Sequence, residues 1–467
     1  MKNLLFVIGM LVFILVFGMA VIACDGSSNN NDNGTDEPDI NEPEIEEPDV
    51  DDPYDSIILP DVLKMRNGTD VTTAGQWPAR RAEIRKIMQN NSYGQWHSGE
   101  TVAYSISGNT LTVRISYNRK GSRFSASVEL PEGTPPAGGW PVILAFGALD
   151  GADFGMGSKG NPRQYALDKG YANISVPTND VASDNNNHTG AFYTIYPYGT
   201  SAESQTGVLM AWAWGASKVL DALEAGAAAE FNINANNIII TGTSRNGKAA
   251  AVAGAFEERI KITVPVSSGA GGAAIYRYYS NGQTYDLSGY FSYNGGGSWT
   301  IDDNNPQSFN SIKADSGGGW FNGKFRTFAS PENLPFDQHF LFALCAGTNR
   351  HLFMINGFEW DKWTNPPGFF YAFESAKPVF DLLGLSQNIA VSMHRFRHGI
   401  EQEDMVKLIK YANYVFYNIE DLTFDYEETE KPKPATWEAF MDELHKTPFS
   451  ASVSPANNAT YEAKKPR

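Results

Sequence analysis

The run Ile238-Ile-Ile-Thr-Gly-Thr-Ser244-Arg-Asn-Gly-Lys-Ala-Ala-Ala places one serine between an apolar, strand-like stretch and a small-residue, helix-like one. A serine at such a turn is held in a strained backbone conformation. Its hydroxyl stands above a sheet at a helix N-terminus, where the next backbone N–H can donate to an oxyanion. Gly242 permits the tight turn, while Asn246, followed by Gly247, departs from the glycine usual two residues beyond the serine. The chemistry implied is nucleophilic acyl transfer, which needs a general base. Two histidines compete for that role in Met393-His394-Arg-Phe-Arg-His398-Gly399. His394 falls inside a strand-like run and suits a packed position. His398, beside a glycine, suits a loop from which an imidazole reaches a hydroxyl.

The elements that would carry these residues alternate. Gln76 to Met88 reads as a short helix, and Thr110 to Tyr117 and Ser122 to Leu130 alternate as half-buried strands. Val142 to Phe146, Ile238 to Ile240, Ile260 to Val266, His351 to Ile355 and Ile389 to Met393 are short apolar runs suited to strands buried on both faces. Helices are expected from about Gly207 to Ala225 and from Met405 to Tyr417. Strand and helix in alternation imply an α/β fold, a mostly parallel sheet covered on both sides. The stretch 269–319, rich in Gly, Ser, Asn and Tyr, reads as an elaborated loop region above it.

The N-terminus reads as an address. Lys2 precedes an apolar run from Leu4 to Ile22 that ends at Val21-Ile-Ala-Cys24, the layout of a lipoprotein signal peptide over residues 1–23 with Cys24 as the lipidated residue. Residues 24–56 hold thirteen acids and neither Lys nor Arg, with almost no large apolar side chain. Such a segment cannot offset its chain entropy by burial and is expected to be a disordered tether. It also accounts for most of the net charge of −17, leaving −4 on the remainder. A nearly balanced body without a basic stripe excludes nucleic acid as a partner. Residues 57–467 are expected to form one domain. Cys345 is expected to be a buried free thiol, and two cysteines with seven dispersed histidines give no metal site.

The segment Gly242-Thr-Ser244-Arg-Asn-Gly-Lys248 resembles the Gly-Cys-Ser-Arg-Asn-Gly-Lys signature of the glucuronoyl esterases, carbohydrate esterase family 15. Further blocks are similar to that family: Tyr193 to Tyr198, Met210 to Gly215, Gly254 to Ile260, Ser268 to Ala273, Trp320-Phe321 and Leu334 to His339. The resemblance spans roughly residues 75 to 420. It implies an α/β-hydrolase fold, a three-layer sandwich, and cofactor-free hydrolysis of esters between (4-O-methyl-)glucuronic acid and lignin alcohols. It implies Ser244 as nucleophile, His398 as base, Arg245 as oxyanion stabiliser through backbone and side chain, and Lys248 and Trp320 as sugar contacts.

The acid departs from the family pattern. Many members carry a glutamate where this chain has Ser267. Hydrolases of this fold more often take the acid from the loop after the next strand, here Phe353 to Trp363. Glu359, followed by Trp360 as in family members, is the preferred acid and Asp361 the second. The expected protein is a monomeric serine esterase of the cell envelope, lipid-anchored to a membrane and acting on a polysaccharide ester. A related esterase for acetyl or pectic methyl esters stays open on this reading, as does an inactive tethered polysaccharide-binding protein.

Overall fold

The computed structural model describes residues 57–149, 160–278, 284–286, 298–300, 307–314, 319–357, 361–394, 398–424 and 433–446, all within the unit Asp52–Arg467. Among the described residues eleven strands are seen: β1 Thr101–Ser107, β2 Thr110–Tyr117, β3 Lys120–Glu129, β4 Trp140–Phe146, β5 Ala172–Val176, β6 Ile233–Thr243, β7 Ile262–Val266, β8 Thr284–Asp286, β9 Ser298–Thr300, β10 His351–Gly357 and β11 Ile389–His394. Nine of them form one sheet in the order β1-β2-β3-β5-β4-β6-β7-β10-β11. The first three strands enter antiparallel, and from β5 to β11 every neighbour is parallel. β8 and β9 pair only with each other, inside the stretch read from sequence as a loop region.

The short apolar runs are buried on both faces because side chains alternate across a strand. Ile238, Ile240, Val142, Leu144, Leu352, Met354 and Val391 point to one face, where the helices Val208–Ala222, Arg245–Phe256 and Pro366–Leu382 cover them. Ile143, Ile239, Ile262, Val264, Phe353, Ile355 and Ala390 point to the other, under the helices Gln402–Tyr417 and Trp437–Leu444. The result is the three-layer α/β-hydrolase arrangement. Cys345 is a buried free thiol. The signal-peptide and tether residues, with Cys24, lie outside the described residues.

The sheet topology decides where chemistry can sit. β6, β7, β10 and β11 are consecutive and parallel, so their C-terminal ends open onto one edge. The described residues that next follow them in the chain are Ser244, Ser267, Asp361 and His398.

Candidate active site

The elbow at Ser244 is a backbone construction. Ser244 has φ 62° and ψ −126°, a left-handed conformation that a non-glycine residue adopts only when its surroundings over-determine it. The surroundings are visible: Ser244 N–H donates to Val266 O at 2.9 Å, tying the turn to the next strand, and Lys248 N–H donates to Ser244 O at 3.0 Å, starting the helix. A Cβ on Gly242 would meet Asn246 O at 2.6 Å, and one on Gly247 would meet Val266 O at 2.6 Å. The glycine that the turn needs is therefore at 247, which explains why Asn246 is tolerated. The helix Arg245–Phe256 then runs buried, with its alanines and glycines against the sheet.

His398 and Asp361 meet across the edge. His398 Nδ1 lies 2.8 Å from Asp361 Oδ1, both groups are buried, and the Trp363 ring packs 4.7 Å from the imidazole. With the Nδ1 proton donated to Asp361, Nε2 is the basic nitrogen. His398 is brought toward the elbow by its neighbour, since a Cβ on Gly399 would sit 3.9 Å from Thr243 Cγ2, next to Ser244. The structure departs here from the preference for Glu359: the carboxylate on His398 is Asp361, and Glu359 lies outside the described residues. The local reason is the short turn Lys362–Thr364. Asp361 O accepts from both the N–H and the hydroxyl of Thr364, which turns the aspartate side chain inward.

Burial pushes the Asp361 carboxyl above the usual carboxylate range, and His398 pulls it back down. The Ser267 hydroxyl also favours the ionised form, without meeting full hydrogen-bond geometry. Ser267, at the position where the family's glutamate would stand, is thus a neighbour of the acid rather than an empty place. It is fully buried, has φ 44°, and its N–H donates to Ile355 O at 2.9 Å. His394 is the packed histidine that its strand position suggests. Its Nδ1 lies 2.7 Å from Asp404 Oδ2, and Ser392 Oγ donates to Asp404 Oδ1 at 2.7 Å. Although burial works against it, His394 holds the Asp404 carboxyl below its ordinary value.

The remaining predicted residues form a second cluster around Trp320. Its indole is 7% exposed and donates through Nε1 to Asp184 Oδ1 at 2.7 Å. The Arg245 guanidinium sits 5.6 Å and the Lys248 ammonium 5.7 Å from the ring centroid. Arg245 Nη1 donates to the other oxygen of Asp184 at 2.6 Å. Lys248 is engaged by protein: its ammonium donates to Ser268 O, to Ala270 O at 2.7 Å and to Gln307 Oε1 at 2.8 Å. Burial, with Arg245 adding to it, drives the Lys248 ammonium well below its ordinary value. Asp184 and Gln307 escaped the sequence reading. Both sit in polar stretches without periodicity, and only the fold shows that Trp212 Nε1, by donating to Ala182 O at 2.8 Å, pins the loop that carries Asp184.

Among the described residues no group of His, Cys, Asp and Glu is arranged to hold a metal ion. An elbow serine, an imidazole oriented by a buried carboxylate, and helix-N-terminal N–H groups beside an arginine are equipped for acyl transfer.

Several known proteins resemble this chain in sequence and in fold. The family model described as "Glucuronyl esterase, fungi" matches residues 113–384. A multidomain esterase of Ruminococcus flavefaciens is 41% identical over 372 residues, covering 78% of this chain and 46% of its own length. A 4-O-methyl-glucuronoyl methylesterase of Cerrena unicolor is 32% identical over 345 residues, covering 72% of this chain and 64% of the relative. The chain thus spans about half the length of the first of these and under two thirds of the second. A solved carbohydrate esterase family 15 glucuronoyl esterase from Caldicellulosiruptor kristjansonii superposes with a TM-score of 0.72 at 35% identity, over 86% of this chain and 96% of that one. The elbow with its arginine, the indole beside it and the extent of these matches agree, and the chain belongs to the glucuronoyl esterases of carbohydrate esterase family 15.

Proposed function

We propose that the chain is a serine esterase that hydrolyses esters of glucuronic acid or its 4-O-methyl form, as in lignin–glucuronoxylan linkages. The observation that carries the reading is Ser244 at its left-handed turn on the edge where His398 meets Asp361.

His398 Nε2 takes the Ser244 hydroxyl proton as Oγ attacks the uronoyl carbonyl. Asp361 holds the imidazole tautomer and stabilises the imidazolium that forms. The oxyanion is received by the backbone N–H groups opening the helix at Arg245, with the guanidinium alongside. His398 then gives its proton to the leaving alcohol, and an acyl-enzyme remains. Water, deprotonated by the same imidazole, cleaves it and frees the uronic acid. Trp320 offers an edge to the sugar, and Lys248 holds the floor made by residues 268–270 and Gln307.

The test is alcohol release from a benzyl ester of glucuronic acid, with acetyl and galacturonate esters in parallel and Ser244→Ala as control. Turnover of the glucuronate ester, abolished in Ser244→Ala, is the expected result. A folded chain that turns over none of them, or only the acetyl or galacturonate ester, overturns the reading.

The same proposal includes export and anchoring through a lipid on Cys24, with the acidic segment 24–56 as tether and a monomeric catalytic body. The export and the anchor are supported by the apolar run and the charge pattern of residues 1–56. Metabolic labelling with a fatty acid tests it: Cys24→Ser should lose the label and the membrane association.

A further inference from the structure

We propose that Asp184 is a positioning residue that also sets the charge of the acyl pocket, so that the site accepts a neutral ester and releases an anionic acid. The inference rests on the reading of the chain as a uronate esterase. Asp184 spends its two oxygens on two different residues of the site, accepting from Arg245 Nη1 at 2.6 Å and from Trp320 Nε1 at 2.7 Å. A single carboxylate therefore fixes the guanidinium and the indole relative to each other, with the guanidinium 5.6 Å from the ring. Its own loop is held from below by Trp212 and from the side by residues 319–320, since a Cβ on Gly319 would meet Asn185 O at 2.5 Å.

The substrate carboxyl is esterified and neutral, while the product is a carboxylate formed at the same place. A guanidinium presents a rigid fork of donors that binds a carboxylate by charge-assisted hydrogen bonds, far better than it binds an ester. An uncompensated arginine beside Ser244 would favour the product and slow its departure. The other cation of the cluster is already spent, because the Lys248 ammonium is buried against three protein oxygens. Asp184 answers the charge of Arg245 through one nitrogen of its fork, Nη1. The carboxylate is only 21% exposed and the arginine 43%, so the pair stands at the rim of the site, where it meets both incoming ester and outgoing acid.

The experiment measures binding of free glucuronate by calorimetry to the full chain and to Asp184→Asn, Asp184→Ala and Asp184→Glu, together with kcat and KM on the benzyl ester. Asp184→Asn and Asp184→Ala are expected to bind glucuronate about fivefold more tightly than the parent at low salt, the scale of a partly exposed ion pair. The gain should fade at high salt. Asp184→Glu keeps the charge but moves it, so it should lower kcat without tightening glucuronate. A purely structural Asp184 would lower stability in the neutral variants and leave glucuronate affinity at the parent value, and that result overturns the proposal. Two neutral variants guard against one that does not fold. A parent chain without esterase activity would remove the functional reading, yet the comparison of glucuronate affinities would still decide whether Asp184 governs anion binding.

Discussion

At the residue scale the acid is the informative position. Asp361 faces His398 at 2.8 Å, and losing its charge leaves the imidazole without its orienting partner. Asp361→Asn should lower kcat by about three to four orders of magnitude, whereas Glu359→Ala should leave it near the parent value. Initial rates on the benzyl ester of glucuronic acid check both, and intact activity in Asp361→Asn would remove that residue from the mechanism. The pH profile gives a second handle. Because burial pushes the Asp361 carboxyl up, its protonation contributes to the acid limb of kcat/KM at a higher pH than an ordinary aspartate would. The Ser267 hydroxyl favours the charged form, so Ser267→Ala should raise that carboxyl further and move the acid limb to higher pH. An unmoved limb would mean that the serine does not act on the acid.

At the element scale the elbow depends on atoms that are missing. A methyl group at Gly247 would collide with the backbone of β7 at Val266, so Gly247→Ala should cost about 1–3 kcal/mol in denaturant unfolding and displace Ser244 enough to suppress turnover. A stable, active variant would contradict the packing described here. This element was legible in the sequence because strand, small residues and helix follow one another within a short window. The buried strands were legible for the same reason: Val142 to Phe146 and Ile238 to Ile240 are apolar without interruption, and both lie buried in the sheet. β1 and β5 were not read. Thr101–Ser107 is a half-buried edge strand whose Val102, Tyr104 and Ile106 only partly cover the core, and Ala172–Val176 is only five residues long and carries Asn173. The helix Pro366–Leu382 was missed because two prolines open it and Pro378 stands inside. In the site, Ser244 and His398 are carried by local patterns, but Asp184 and Gln307 are joined to them only by contacts across the chain, which spacing cannot express. Several blocks that carry the family resemblance prove to be supports. Asp337 accepts from the N–H groups of Tyr276 and Gln338, and Gln338 reaches Gly272 O, fixing the segment behind Ser268.

At the scale of the whole molecule, buried histidines tie stability to acidity. His339 accommodates Pro60 O at 2.8 Å and His351 meets the Tyr411 hydroxyl at 2.9 Å, and burial lowers each imidazole to about 4. In the unfolded chain each binds its proton near 6.5, so between those values the unfolded state holds more protons than the folded one. Stability is therefore full above pH 6.5 and falls as the pH drops toward 4, by on the order of 3 kcal/mol for each histidine. Denaturant unfolding across that window should show a shallower slope in His339→Gln, and an unchanged slope would take that histidine out of the account. The order of the central strands has a different consequence. β7 and β10 are neighbours and end on the same edge, one delivering Ser267 and the other Asp361, and the Ser267 hydroxyl already acts on the Asp361 carboxyl. The sheet thus ends on two adjoining positions, either of which could seat a carboxylate. A lineage can fill the second seat before vacating the first, so the acid can change strands through intermediates that never lack one, while the serine and the histidine stay where they are.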